Sequence, residues 1–136
     1  MTRTYVLDAS ALLDFLGDGP GAYRVVRLIK EGHLRNARLL VSVVNWGEVF
    51  YQSWQRHGEE IARQKMTDLS RLPLQIMPVD LPQALEAGEI KVLHKIPYVD
   101  CLAAALATLN QATLVTSDRD FERLGRRVPL LWIARP

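Results

Sequence analysis

The sequence predicts an α/β fold: one domain with a central, mostly parallel sheet of four to five strands, flanked by helices on both faces. Two observations carry this expectation. Short β-like runs alternate with helical stretches along the whole chain, the pattern of parallel strands joined by crossover helices. The chain has 136 residues, 49% apolar and 24% charged, which suits a single globular core and leaves no room for a second domain.

The elements follow in order. Residues 4–7 (TYVL) read as a buried strand that ends at Asp8. Residues 10–16 form a short helix, stopped by the turn signal Gly17-Asp18-Gly19-Pro20. Tyr23, Val26, Ile29 and Lys30 recur at helical spacing up to Gly32. Residues 38–41 are the second strand, and Ser42 supplies the N-cap of a helix that runs to His57 and breaks at Gly58. Its apolar stripe reads Val43, Trp46, Phe50 and Trp54, with Glu48 off that stripe. Residues 59–72 form the next helix, with Ile61, Met66, Leu69 and Leu72 as its apolar side, ended by Pro73. Residues 74–79 are a third strand that contains a proline. Pro82 opens a helix through Leu93. Pro97 opens another through Asn110, apolar on nearly every side and therefore buried. Residues 113–116 are the fourth strand and residues 128–133 the fifth.

Composition excludes several classes. Intrinsic disorder does not fit the apolar fraction. The longest unbroken apolar run, Cys101 to Ala107, is seven residues, against about 20 for a membrane-spanning helix. Residues 1–5 lack the apolar core of a secretory leader, and the lone Cys101 cannot form an internal disulfide, so a cytoplasmic location is expected. There is no Gly-x-Gly-x-x-Gly and no Walker loop. His33, His57 and His94 are scattered, without zinc-ligand spacing.

The acids are more informative. In open α/β sheets, sites lie outside the carboxyl ends of the strands. Asp8 directly follows the first strand, and Asp118 lies just after the fourth, in TSDRDF. Glu48 lies in the second turn of the helix after the second strand, and Asp100 in the first turn of the apolar helix. With right-handed connections, all four are expected at one edge of the sheet. Each has an ordinary explanation when taken alone. An Asp after a strand is a common turn former or cap, a helical Glu is commonly solvated, and Asp100 could simply complement a helix N-terminus. Apolar neighbours predict that Asp100 is partly buried, and a buried carboxylate needs a partner or a cation. Clustered carboxylates repel one another, and a divalent cation removes the conflict. Oxygen-only ligands select Mg²⁺ or Mn²⁺.

Four stretches match a known family in order and spacing: residues 5–13 (YVLDASALL), 42–49 (SVVNWGEV), 98–105 (YVDCLAAA) and 114–121 (LVTSDRDF). The chain resembles PIN-domain ribonucleases, in particular the VapC-type toxins of bacterial toxin–antitoxin pairs. The resemblance spans essentially the whole chain, residues 1–136. It implies that Asp8, Glu48, Asp100 and Asp118 form a catalytic site for Mg²⁺ or Mn²⁺. It also implies that Ser10, and Thr116 or Ser117, support the site by hydrogen bonding. Asp120 matches a second acid of the last motif, which leaves open which of Asp118 and Asp120 lies nearer the ion. Cys101 stands where the family has alanine or another small residue. The resemblance further implies a homodimer, inhibited by a small VapB-type antitoxin whose C-terminal segment occupies a groove beside the site.

The expected reaction is hydrolysis of RNA phosphodiester bonds, with a carboxylate-held ion activating water. Candidate RNA-steering cations are Arg24, Arg27, Lys30, Arg35, Arg38, Arg119, Arg123, Arg126 and Arg127, with Arg119 foremost because it stands between two acids. Three other readings stay open: a non-toxin PIN nuclease of RNA processing, a non-catalytic module that binds RNA or protein, and an aspartyl phosphatase. The last would want an acid two residues after Asp8, where this chain has Ser10. Charge is consistent with a nuclease. The net charge is only +2, but without the four proposed ligands 11 of 15 acids remain against 17 bases, a balance of +6.

Overall fold

Five strands form one sheet in the order β3-β2-β1-β4-β5, and every pairing is parallel. The structure is a computed structural model and describes residues 2–134. In chain order the elements are β1 (Arg3–Leu7), α1 (Ala9–Leu16), α2 (Ala22–His33), β2 (Ala37–Ser42), α3 (Val43–His57), α4 (Glu59–Ser70), β3 (Leu74–Met77), α5 (Leu81–His94), α6 (Tyr98–Leu109), β4 (Thr113–Thr116), a 3-10 helix (Arg119–Leu124) and β5 (Leu130–Trp132). The expected strands are all present, and the sheet is wholly rather than mostly parallel. β3 stops before Pro78, which has no N–H to donate to the ladder. The 3-10 helix after β4 was not foreseen from sequence.

Both faces of the sheet are covered. Successive strand residues point to opposite sides. Val6, Leu40 and Leu114 pack against α5 and α6, while Leu7, Leu39, Val41 and Val115 pack against α1 and α2. Each fully buried Leu or Ile in these layers contributes about 1.5–3 kcal/mol. As expected, α6 is buried: every residue from Asp100 to Ala107 is shielded, and its alanines let it lie close to the sheet. Among the described residues no single helix is long and apolar enough to cross a membrane.

Three helix faces differ from expectation. α2 buries Val25, Leu28 and Ile29, leaving Tyr23 and Val26 outward. α3 buries Asn45, Val49 and Ser53, not the aromatic stripe. Trp46 and Phe50 are half-buried and Trp54 is exposed. Phe50 and Trp54 meet edge to face at 5.6 Å, and the Arg63 guanidinium of α4 lies over both rings. Periodicity marked an apolar side of α3 without saying what covers it, and Arg63 of α4 is what lies over Phe50 and Trp54. α4 in turn buries Ala62 and Leu69, and Ile61 is exposed.

The turn between α1 and α2 sits against the end of β5. A Cβ on Gly21 would lie 2.5 Å from Ile133 Cδ1 and 2.6 Å from Asp14 Oδ2. Gly21→Ala should therefore cost about 2 kcal/mol and lower the thermal midpoint by roughly 5 °C. A melt unchanged from wild type would contradict this packing.

Candidate active site

The strand order reverses between β1 and β4, so the carboxyl ends of these two strands open a crevice. Asp8 and Asp118 stand at its two sides. Asp8 follows Leu7, and its backbone N–H donates to Val115 O across the crevice at 3.3 Å. Its side chain caps α1: Oδ1 accepts the Ala11 N–H at 3.0 Å and the Ser10 hydroxyl at 2.7 Å. Oδ2 accepts the Thr116 hydroxyl at 2.6 Å. The two hydroxyl oxygens in turn receive backbone N–H groups, Ser117 to Ser10 Oγ at 3.0 Å and Asp118 to Thr116 Oγ1 at 2.9 Å. Ser10 and Thr116 thus tie the β1–α1 turn to the segment after β4. Ser117 contributes to this network through its backbone rather than its hydroxyl.

Asp118 caps the 3-10 helix, with Oδ1 accepting the Asp120 N–H at 2.9 Å. Its other oxygen is free of that duty. Asp100 enters from the first turn of α6 and is only 9% exposed. Among the described residues no hydrogen bond reaches its carboxylate. Burial, then the charges of Asp118, Asp8, Glu48 and Asp120, push its carboxyl up to about 7. The helix N-terminus favours an ionised Asp100, but burial and repulsion outweigh it. Asp8 is raised to about 6, chiefly by burial, against the lowering effect of its three hydrogen bonds. Glu48 is held by two amides, Asn45 Nδ2 donating to Oε1 at 3.2 Å and Gln52 Nε2 donating to Oε2 at 3.3 Å.

Asp8, Glu48, Asp100 and Asp118 all line one open pocket of about 330 Å³. Carboxylate oxygens of Asp100, Asp118 and Asp120 lie within 4.8 Å of one another. Asp100 and Asp118 belong to both groupings, so Asp120 joins the acids from outside the pocket. The donor set is all oxygen, with one buried carboxylate lacking any protein partner among the described residues. Such a set fits a hard divalent cation, which would relieve the repulsion around Asp100.

Three polar lining residues were missed by the sequence reading: Asp14, Gln52 and Arg56. Asp14 Oδ2 accepts the Gly21 N–H at 3.1 Å. Gln52 and Arg56 follow Glu48 at steps of four on α3, a spacing that could have flagged them. Arg119 does not line the pocket. Its guanidinium pairs with Glu122 at 2.9 Å and lies 4.7 Å over the Trp132 ring. Other expected steering cations are also tied down. Arg127 bridges Glu86 and Glu89, Arg24 donates to Trp132 O, Arg38 to Gln75 and Arg123 to Lys95 O. Cys101 is a buried core thiol, its Sγ 3.6 Å from Ile96 O, pushed up by burial.

The family model described as the PIN domain matches residues 5–127. The chain belongs to the PIN domain family. Several solved structures share the fold of this PIN domain. VapBC2 from Rickettsia felis, bound to a DNA fragment from its promoter, aligns at TM-score 0.77 and 20% identity, over 95% of this chain and 98% of that one. DNA-bound VapBC from Salmonella typhimurium aligns at 0.77 and 16%, over 98% and 100%. VapC20 from Mycobacterium tuberculosis, a Sarcin-Ricin loop cleaving toxin, aligns at 0.71 and 17%, over 89% and 95%. No curated protein matches the sequence.

Proposed function

We propose that this PIN domain is a metal-dependent ribonuclease that hydrolyses RNA phosphodiester bonds, and that it is the toxin of a VapBC-type pair. The observation that carries the reading is the convergence of Asp8, Glu48, Asp100 and Asp118, from four separate segments, on one pocket. Family membership and likeness to VapBC structures support the toxin assignment, with a small VapB-type antitoxin and a homodimer as its partners.

These four residues would hold Mg²⁺ or Mn²⁺, which supplies Lewis-acid activation of water and neutralises charge at phosphorus. The chain's own residues prepare the place. Ser10 and Thr116 donate to Asp8, so its carboxylate is locked in one orientation. Asn45 and Gln52 do the same for Glu48, each leaving its oxygen further acceptor capacity. Asp118 spends one oxygen on its cap and presents the other. Asp100 brings the charge that most needs neutralising. Asp120 and Ser117 act as supports at the rim, and Arg119 keeps its place near the last motif through Glu122 and Trp132.

The test is cleavage of transfer, ribosomal and messenger RNA by purified protein in Mn²⁺, with and without EDTA. Cleavage should require the metal and leave 5′-phosphate and 3′-hydroxyl ends; 2′,3′-cyclic phosphates would sink the mechanism. Asp8→Asn keeps the α1 cap, because Asn caps as well as Asp. It should lower cleavage by about 10³-fold with little change in the melt. Wild-type rates from this variant would remove Asp8 from the site. A protein that cuts none of the three RNAs would instead be a non-catalytic PIN module.

A further inference from the structure

One cation stands among the carboxylates of the pocket. Arg56, in the last turn of α3, is the one basic side chain among the described residues lining it, beside Asp8, Asp14, Glu48, Asp100 and Asp118. Other arginines near acids are neutralised by them: Arg63 by Glu59, Arg119 by Glu122, Arg127 by Glu86 and Glu89. Arg56 is different. Among the described residues its side-chain partner is a neutral amide, Nη2 donating to Gln52 Oε1 at 3.3 Å. That same amide donates from Nε2 to Glu48 Oε2. Gln52 therefore links Arg56 to Glu48 while keeping the two charges apart. The guanidinium faces the pocket with its charge unspent.

We infer that Arg56 binds a backbone phosphate flanking the scissile bond. The class of ligand, a single-stranded RNA phosphodiester, rests on the ribonuclease reading above. The position follows from helix geometry. Arg56 lies eight residues beyond Glu48, about 12 Å along the axis, and its side chain leans back toward the helix N-terminus. That reach places the guanidinium at the pocket mouth, outside the ring of carboxylates. A planar guanidinium suits bidentate phosphate binding. At this location it also offsets the repulsion that five lining acids exert on an entering polyanion. The ordinary alternative is a cation that complements the C-terminus of α3. That role would affect stability and leave RNA affinity alone.

The experiment compares wild type, Arg56→Ala and Arg56→Lys. Binding of a ten-nucleotide single-stranded RNA is followed by fluorescence anisotropy across a NaCl series, with Ca²⁺ as the bound ion. Steady-state cleavage, the melt and Mn²⁺ affinity by calorimetry are measured in parallel. Arg56→Ala should bind RNA about 10-fold more weakly, with a salt slope shallower by about 0.7. KM should rise while kcat stays within about twofold, and the melt and Mn²⁺ affinity should hold. Arg56→Lys should recover the slope but only part of the affinity. An unchanged slope and affinity in Arg56→Ala would overturn the inference, as would a loss matched by weaker Mn²⁺ binding or a lower melt. If wild type cleaves RNA and the slope is unchanged, the inference falls and the ribonuclease reading stands. If wild type binds but does not cleave, and Arg56→Ala loses slope, the reading falls and the phosphate contact stands. RNA that does not bind wild type at all overturns both.

Discussion

Asp100→Asn protein should melt about 5 °C higher than wild type at pH 8 in EDTA, and should cleave RNA about 10³-fold more slowly. Both effects have one cause. Asp100 is 9% exposed, its carboxyl is pushed up to about 7, and four other acids raise it after burial has done so. At pH 8 the metal-free protein must keep that group ionised among like charges. An amide of the same shape carries no charge and can donate to the neighbouring carboxylates. The gain should be about 2 kcal/mol, below what the full displacement of the carboxyl from 3.8 would imply, because the pocket is open to water. Saturating Mn²⁺ should reverse the order of the two melts, since only wild type presents all four proposed ligands. Thermal melts with and without Mn²⁺ check this. An Asp100→Asn variant less stable than wild type in EDTA would show that Asp100 serves the fold rather than a bound ion.

Metal-free wild type should lose stability as pH rises from about 5 to 8, and Mn²⁺ should restore it. The direction follows from proton counting. Asp8 and Asp100 have folded-state values of about 6 and about 7, against 3.8 for an ordinary aspartate. Between about 4 and 7 the folded chain holds protons that the unfolded chain has already released. Stability then falls with rising pH across that window. This is the reverse of usual acid denaturation, in which paired carboxylates lose their partners as pH drops. The two groups interact, so the decline should appear as one broad transition. A cation at 100 times its dissociation constant should return about 2.7 kcal/mol at pH 8. Melts at pH 5 and pH 8 that coincide, or that do not respond to Mn²⁺, would argue against a repelled carboxylate pair.

Much of the fold is legible in the chain because strand and helix periods differ. The run Thr4 to Leu7, the Ser42 cap and the apolar stretch Cys101 to Ala107 each announce an element locally. Asp8 and Asp118 are legible for a related reason. A residue one or two positions past the end of a parallel strand stands at the carboxyl edge of the sheet, whatever else surrounds it. Helix faces are less legible. Trp46, Phe50 and Trp54 mark an apolar side of α3, but periodicity does not say whether the sheet or α4 will cover it. The cations are the least legible. Arg119 looks well placed between two acids, yet the 3-10 helix turns it onto Glu122 and Trp132. Arg56 looks like an ordinary helix-end charge, yet it reaches the pocket through Gln52.

Which segments become strands and helices, and that four acids stand near their ends, is written locally in the chain, because backbone preferences and short-range alternation act over a few residues. It took the packed molecule to set β1 beside β4, to bring Thr116 to Asp8, and to bury Asp100 among charges with no hydrogen-bond partner for its carboxylate among the described residues. Those facts depend on strand order and on contacts between residues far apart in the chain, 108 positions for Asp8 and Thr116, and no local pattern encodes them.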